Sequence, residues 1–385
     1  MLKPDYQGGS IVNLMSSIIA ARGGKPDYPH LRSLPPDEIA PATNILLLVV
    51  DGLGARWLAR RSPDGVLSRH LRATITSVFP PTTASAITTY LTGDAPQQHA
   101  LTGWYTYLRE LGCVMTILPG NPRYGGVSYR RAGIDPARLF GRPPVPRRIE
   151  TPAHTVSPAY IARSDFNLAH LGSARLHAFD SLSDMFRQTV RILRSGKEPS
   201  YLYLYWPKLD TIGHERGMES PAAAAHLREI ERAVTDFTVR IAGTDTVILI
   251  CADHGHLDTR TSDLIDLADH PDLADCLALP LCGEPRAAFC YLRPDRVRRF
   301  EHYCAEVLAD KLTLHRSVDL LDAGLFGLSE PHARLSERIG DYTLLMRERF
   351  VIRDSLPSES HHPQIGVHGG LSEEELLVPL CVLRA

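Results

Sequence analysis

Residues 247–256, VILICADHGH, constrain the fold more than any other stretch of the chain. Five apolar residues, rich in β-branched types, run straight into Asp253, His254 and His256. A short apolar run without alternation suits a strand covered on both faces, as in a parallel α/β sheet. An isolated charge is costly to bury, so acids and imidazoles ending such a strand are paired, hydrated or bound to metal. The pattern recurs. NILLLVV, residues 44–50, ends at Asp51-Gly52, and YLYLYW, residues 201–206, ends at Pro207 with Asp210 close behind.

Helical patterns separate these runs. SLSDMFRQTVRILRSG, residues 181–196, has a capping start at Ser181 and Asp184 and a stop at Gly196. Ser220-Pro221 opens a second helix, followed by Leu227, Ile230, Val234, Phe237 and Ile241 at helical spacing. Alternating strands and helices predict an α/β fold, a largely parallel central sheet with helices on both faces. From residue 258 to residue 363 the rhythm breaks. A strand-like AAFCYL, a helix from Asp295 to about Lys311 and a strand-like DYTLLM read as a smaller α+β insertion. The core is then 1–257 with 364–385, closing in VHGGLSEEELLVPLCVL as a polar loop, a short helix and a last strand. Residues 120–169, rich in Pro, Arg and Gly, are expected to cover the site or form a small excursion. The N-terminal MLKPDYQGGSIVNLMSSIIAARGG reads as a short amphipathic helix and not as a signal peptide.

Composition narrows the partners. With 385 residues, 44% of them apolar, the chain has material for a sizeable core. A formal charge of -2 gives no general electrostatic reason to expect a nucleic-acid polymer or a membrane surface. No stretch approaches a membrane span, and the basic residues around Arg142, Arg147 and Arg148 read as solvated surface. Seven scattered cysteines without a CxxC pair fit reduced, packed thiols and a cytoplasmic protein. The expected partner is a small molecule.

In parallel α/β sheets ligands sit outside the carboxyl ends of the strands. That rule gathers Asp51, Asp210 and Asp253 at one edge, beside His214, His254 and the His368 of GVHGG. Three carboxylates and three imidazoles make two three-ligand sets of oxygen and nitrogen donors, suited to Zn²⁺ or Mn²⁺. In TSVFPPTTASAITTYLTG, residues 76–93, Pro80-Pro81 halts a strand and Thr82-Thr83 lies where a helix begins. A helix N-terminus is a natural seat for a phosphate. A threonine hydroxyl there, deprotonated by a metal, is a nucleophile for phosphorus. Each piece also has a plain reading: Asp51-Gly52 as a turn, Thr82 or Thr83 as a helix cap, His368 as a loop histidine. Their joint placement at strand ends argues for a site.

The order VVDGLG, FPPTTASAITTYLTG, LDTIGH, ADHGH and HGG…VPL resembles the alkaline phosphatase superfamily, nearest its branch of type I phosphodiesterases and nucleotide pyrophosphatases. The matching motifs run from Asp51 to His368. The resemblance implies an alkaline phosphatase-like fold and two divalent ions, Zn²⁺ first and Mn²⁺ second. It implies a nucleophile ten residues before the Gly of the T-G turn, which is Thr83. It implies one ion on Asp210, His214 and His368, and another on Asp51, Thr83, Asp253 and His254. The implied reaction is hydrolysis of a small phosphodiester or nucleotide through a phosphothreonine. One departure stands out: Ala86 occupies the place of an Asn that helps hold a phosphate oxygen, so Ser85 or a backbone N–H would have to substitute. Thr82, Ser85, Trp104 and His256 are candidate substrate contacts. For His256 the plainer reading is a hydrogen bond to a metal ligand, and for the Trp104, Tyr105 and Tyr107 region it is ordinary core. Phosphomonoester, phosphonate and sulfate ester hydrolysis are rivals on the same scaffold, and a metal-stabilised binding module is the rival outside enzymes. A monoesterase calls for an extra Arg or Lys for the doubly charged phosphate, and none is identified near Thr83. Loss of activity would erode ligands that are all in place.

Overall fold

The three apolar runs form the centre of one sheet. In the computed structural model, which describes residues 2–196, 198–357, 359 and 364–385, Asn44–Val50 pairs in parallel with Ser200–Trp206 and Thr246–Cys251. Every residue of these three strands is buried, the mark of a sheet covered on both faces. Ala153–Pro158 and Arg175–Phe179 extend the sheet in parallel beyond Ser200–Trp206. On the other side Leu377–Arg384 runs antiparallel between Thr246–Cys251 and the edge strand Leu71–Thr76. The fold is α/β with a largely parallel central sheet, as the sequence predicts.

The connecting helices start where their caps are. The Ser181 hydroxyl accepts from Asp184 N at 3.2 Å to open Leu182–Ser195, and Ser220 accepts from Ala223 N at 3.2 Å to open Pro221–Arg240. Leu227, Ile230, Val234 and Phe237 form the buried face of the second helix. The N-terminal helix Ile11–Ala21 corrects an expectation. It is not amphipathic in its surroundings, because Ile11 to Ile19 are all buried, polar residues included. Those polar groups are satisfied internally: the Asn13 amide donates to Tyr6 O and Pro29 O, and Ser10 Oγ donates to Asn13 Oδ1.

A second sheet, antiparallel throughout, has seven strands. Four of them, Cys282–Glu284, Ala287–Cys290, Leu312–Arg316 and Tyr342–Met346, come from the expected insertion. The other three, Tyr105–Leu108, Cys113–Thr116 and Asn121–Pro122, come from far earlier in the chain. The seam is the pairing of Gly283 with Tyr105. A Cβ on Gly103 would lie 2.5 Å from Gly283 Cα, so the close backbone approach there demands glycine. The expected end of the insertion at Pro363 lies outside the described residues. All seven cysteines are unpaired. Among the described residues no helix is long and apolar enough to cross a membrane.

Candidate metal centre

Strand direction brings the predicted ligands together. Asp51 directly follows Asn44–Val50, Asp253 lies two residues beyond Thr246–Cys251, and Asp210 stands on the helix Lys208–Arg216 that follows Ser200–Trp206. His214 is one helical turn after Asp210, on the same face. His368 follows the short strand Gly366–Val367.

The first group is acidic. His254 Nε2 lies 3.3 Å from Asp51 Oδ1, 3.5 Å from Asp253 Oδ2 and 3.3 Å from Thr83 Oγ1. Gly52 N and His254 N donate to Asp253 Oδ1 at 3.1 and 3.0 Å, and the Tyr205 hydroxyl donates to Asp51 Oδ2. The remaining oxygens, Asp51 Oδ1 and Asp253 Oδ2, are buried without a hydrogen-bond partner. Burial, then the charges of Asp253 and Asp210, push the Asp51 carboxyl well above the usual range. Burial, then Asp210, push Asp253 up to about 7. His254 Nδ1 donates to Gly255 O at 3.1 Å, which leaves Nε2 bare toward the orphaned oxygens. Two unsatisfied carboxylate oxygens around a bare imidazole nitrogen fit a divalent cation.

The second group is rich in histidine. Asp210 Oδ1 lies 2.9 Å from His256 Nε2, 3.2 Å from His214 Nε2 and 3.9 Å from His368 Nε2. Burial works against its charge, but His214 and His256 outweigh it and hold Asp210 well below the usual carboxylate range. Burial likewise opposes the His214 cation, and Asp210 more than compensates, lifting it to about 9. His214 Nδ1 donates to Gly366 O at 2.7 Å. The His254 and His368 rings stack at 3.7 Å and join the two groups. Three overlapping sets have all their donor atoms within 4.8 Å of one another: Asp51–Asp253–His254, Asp210–His214–His256 and Asp210–His254–His368. The expected set of Asp210, His214 and His368 is not one of the three: around Asp210, His214 groups with His256, and His368 groups with His254.

The sequence profile of the type I phosphodiesterase / nucleotide pyrophosphatase family matches residues 45–371. The chain belongs to that family. As a member of it, the protein is a phosphoester hydrolase by descent. No curated protein matches the chain. Its fold is similar to that of murine ectonucleotide pyrophosphatase / phosphodiesterase 5, solved as an inactive variant with AMP, at 16% identity over 87% of each chain and a TM-score of 0.64. The human counterpart is 14% identical over 88% of this chain and 87% of that one, with a TM-score of 0.65. Phosphonoacetate hydrolase from Sinorhizobium meliloti 1021, in complex with phosphonoformate, is 16% identical over 88% and 89%, with a TM-score of 0.60.

Around the candidate metal ligands of this phosphodiesterase-family chain, the other candidate residues fare differently. The Thr82 hydroxyl donates to Glu284 Oε1 at 2.6 Å, and Trp104 N donates to the same oxygen at 2.6 Å. Trp104 itself is 37% exposed. Ser85 is wholly buried and donates to Leu101 O at 2.9 Å, so the hydroxyl expected to replace the missing Asn is turned into the protein interior. His256 takes the plainer of its two readings, a hydrogen bond to Asp210. Tyr107 packs edge-on against Tyr291, and the Tyr105 hydroxyl donates to Glu359, both roles in structure. Glu284 is the residue that sequence reasoning missed. It is 7% exposed, and burial pushes its carboxyl up to about 7. No local pattern in LCGEPRAAF marks it, because its partners lie about 180 and 200 residues away.

Proposed function

We propose that the chain is a two-metal phosphodiester hydrolase acting through a phosphothreonine on Thr83. The observation that carries this reading is that one nitrogen, His254 Nε2, lies within 3.5 Å of Thr83 Oγ1, Asp51 and Asp253. Asp51, Thr83, Asp253 and His254 would hold one ion, and Asp210, His214 and His368 the other, Zn²⁺ or Mn²⁺. Bound ions supply positive charge that lowers the hydroxyl pKa and offsets the charge on the phosphoryl oxygens.

Thr83 opens a helix of 10 residues, Thr83–Thr92, whose free N–H groups favour an anion beside the hydroxyl. Once its proton has passed to solvent water, Thr83 Oγ1 attacks phosphorus. The new O–P bond forms as the bond to the first alkoxide breaks, and that alkoxide leaves as the alcohol after taking a proton from water. Water then attacks the phosphothreonine, returning the threonine and releasing a phosphomonoester. Charge supports a diester over a monoester as substrate. Among the described residues no Lys or Arg pairs with the seven ligand and nucleophile residues. The Glu284 carboxyl is instead held against Thr82, next to the nucleophile. A doubly charged monoester would meet that carboxylate, and a diester carries one charge fewer. The inserted 258–363 segment matters to this reading because it delivers Glu284. Seven unpaired thiols support a reducing compartment such as the cytoplasm.

The test compares bis-(p-nitrophenyl) phosphate with p-nitrophenyl phosphate, using protein loaded with Zn²⁺ or Mn²⁺. The diester is expected to turn over faster. Thr83→Ala is expected to lose at least about 10³-fold in kcat while still binding metal. Diester turnover within about tenfold of the parent in that variant would reject Thr83 as nucleophile.

A further inference from the structure

A metal-ligating histidine is usually oriented by a hydrogen bond from its other ring nitrogen. His214 and His254 have that bond, to Gly366 O and Gly255 O. His368 does not: its Nδ1 is buried without a partner. The position of its ring therefore depends on the backbone that carries it and on the stack against His254.

That backbone is tied to one side chain. Glu375 Oε1 accepts from Gly370 N at 2.7 Å, and Oε2 accepts from Ser372 Oγ at 2.6 Å. The carbonyl of the same residue accepts from Gly255 N at 2.9 Å, so Glu375 joins the loop of His368 to the loop of His254 and His256. Its carboxylate is fully buried and gripped from the second sheet by Arg286, with Nε to Oε1 at 3.1 Å and Nη2 to Oε2 at 3.0 Å. Arg286 Nη1 is in turn fixed on Phe350 O at 2.6 Å. Every acceptor site of the carboxylate is thereby used. The loop is also pressed against the neighbouring residue, since a Cβ on Gly369, at φ +109°, would lie 2.6 Å from Glu284 Cβ.

We propose that the Arg286–Glu375 pair is a positioning device for His368, through which the second sheet sets how tightly the Asp210–His214–His368 ion is held. The inference rests on the two-metal reading and adds to it a control element outside the ligand set. The alternative is a pair that only stabilises the fold.

Calorimetric titration of the metal-free protein with Zn²⁺ separates the two. The parent is expected to take up two ions. Glu375→Gln keeps the shape of the side chain but disrupts the bidentate grip. It is expected to bind one ion as the parent does and the other about 10- to 100-fold more weakly. His368→Ala in the Glu375→Gln background is expected to weaken that same ion by less than it does in the parent. The double variant Arg286→Met/Glu375→Met removes both buried charges together, and it is expected to lose the same ion selectively. Parent-like affinity for both ions in Glu375→Gln, or equal weakening of both, overturns the proposal. If the double variant does not fold, Glu375→Gln alone decides. A parent that binds fewer than two ions defeats the two-metal reading itself, and this inference with it.

Discussion

Asp51 and Asp253 stand at the ends of two adjacent strands with side chains 2% and 0% exposed, each with an oxygen that no protein group satisfies. Asp210 stands on a helix, 16% exposed, and shares one oxygen among three imidazoles. The first half of the centre has no cationic partner among its own residues, so its charge is offset by holding protons or by a cation from outside. The second half can neutralise itself, because Asp210 keeps a proton on His214 up to about pH 9. The two residue groups, joined by the His254–His368 stack, thus differ in how far their own side chains balance their charge.

The largest test of that difference removes charge from the first half. Asp253→Asn should weaken the first ion and lower diester turnover by about 10³-fold or more. In chelator-treated protein the same change should raise Tm, because a buried carboxylate without a cation is a liability. A lower Tm for metal-free Asp253→Asn would break the comparison.

A second, smaller effect lies in pH. The Asp253 carboxyl is pushed from 3.8 up to about 7, so its cost to the metal-free fold is absent at acid pH and grows as pH rises through that window. His214 is raised from 6.5 to about 9, so its contribution is present below 6.5 and lost as pH rises to 9. The first is worth at most about 4 kcal/mol and the second at most about 3 kcal/mol. Below pH 6.5 the loss from Asp253 is opposed by buried imidazoles such as His254 and His368, whose lowered pKa adds stability as pH rises. Metal-free protein should therefore lose thermal stability from pH 6.5 to pH 9, and saturating Zn²⁺ should remove most of that slope. Scanning calorimetry of His214→Gln should flatten this upper window, and Asp253→Asn should change the pH dependence only below it. The smallest effect belongs to Glu284→Gln, which should shift the diester-to-monoester rate ratio a few-fold toward the monoester while leaving both ions bound. An unchanged ratio would remove Glu284 from the account of specificity.

What was legible in the sequence follows the range of the forces involved. Residues 45–50, 201–206 and 247–251 are continuous runs of apolar and aromatic residues, and such runs suit strands buried on both faces. Their parallel direction then places Asp51, Asp210 and Asp253 at one edge, so the cluster of candidate ligands could be read without coordinates. The hairpin at residues 105–122 was not legible as part of a sheet with residues 282–346, because the Gly283–Tyr105 pairing spans more of the chain than any local pattern reports. Glu284 and the Arg286–Glu375 pair were hidden for the same reason. A lone acid or arginine in a short strand looks the same whether its partner is water or another buried charge. Ser85 misled because helical position alone does not say that a hydroxyl will turn to Leu101 O.

The strand Leu377–Arg384 fills the gap between Thr246–Cys251 and Leu71–Thr76, and it is the latter's neighbour in the central sheet. Just before it, Glu375 and Leu376 hold Gly255 and Ser77 through their carbonyls. A chain cut before residue 375 would therefore lose the anchors of two distant segments at once, the loop that carries His254 and His256 and the approach to Thr83.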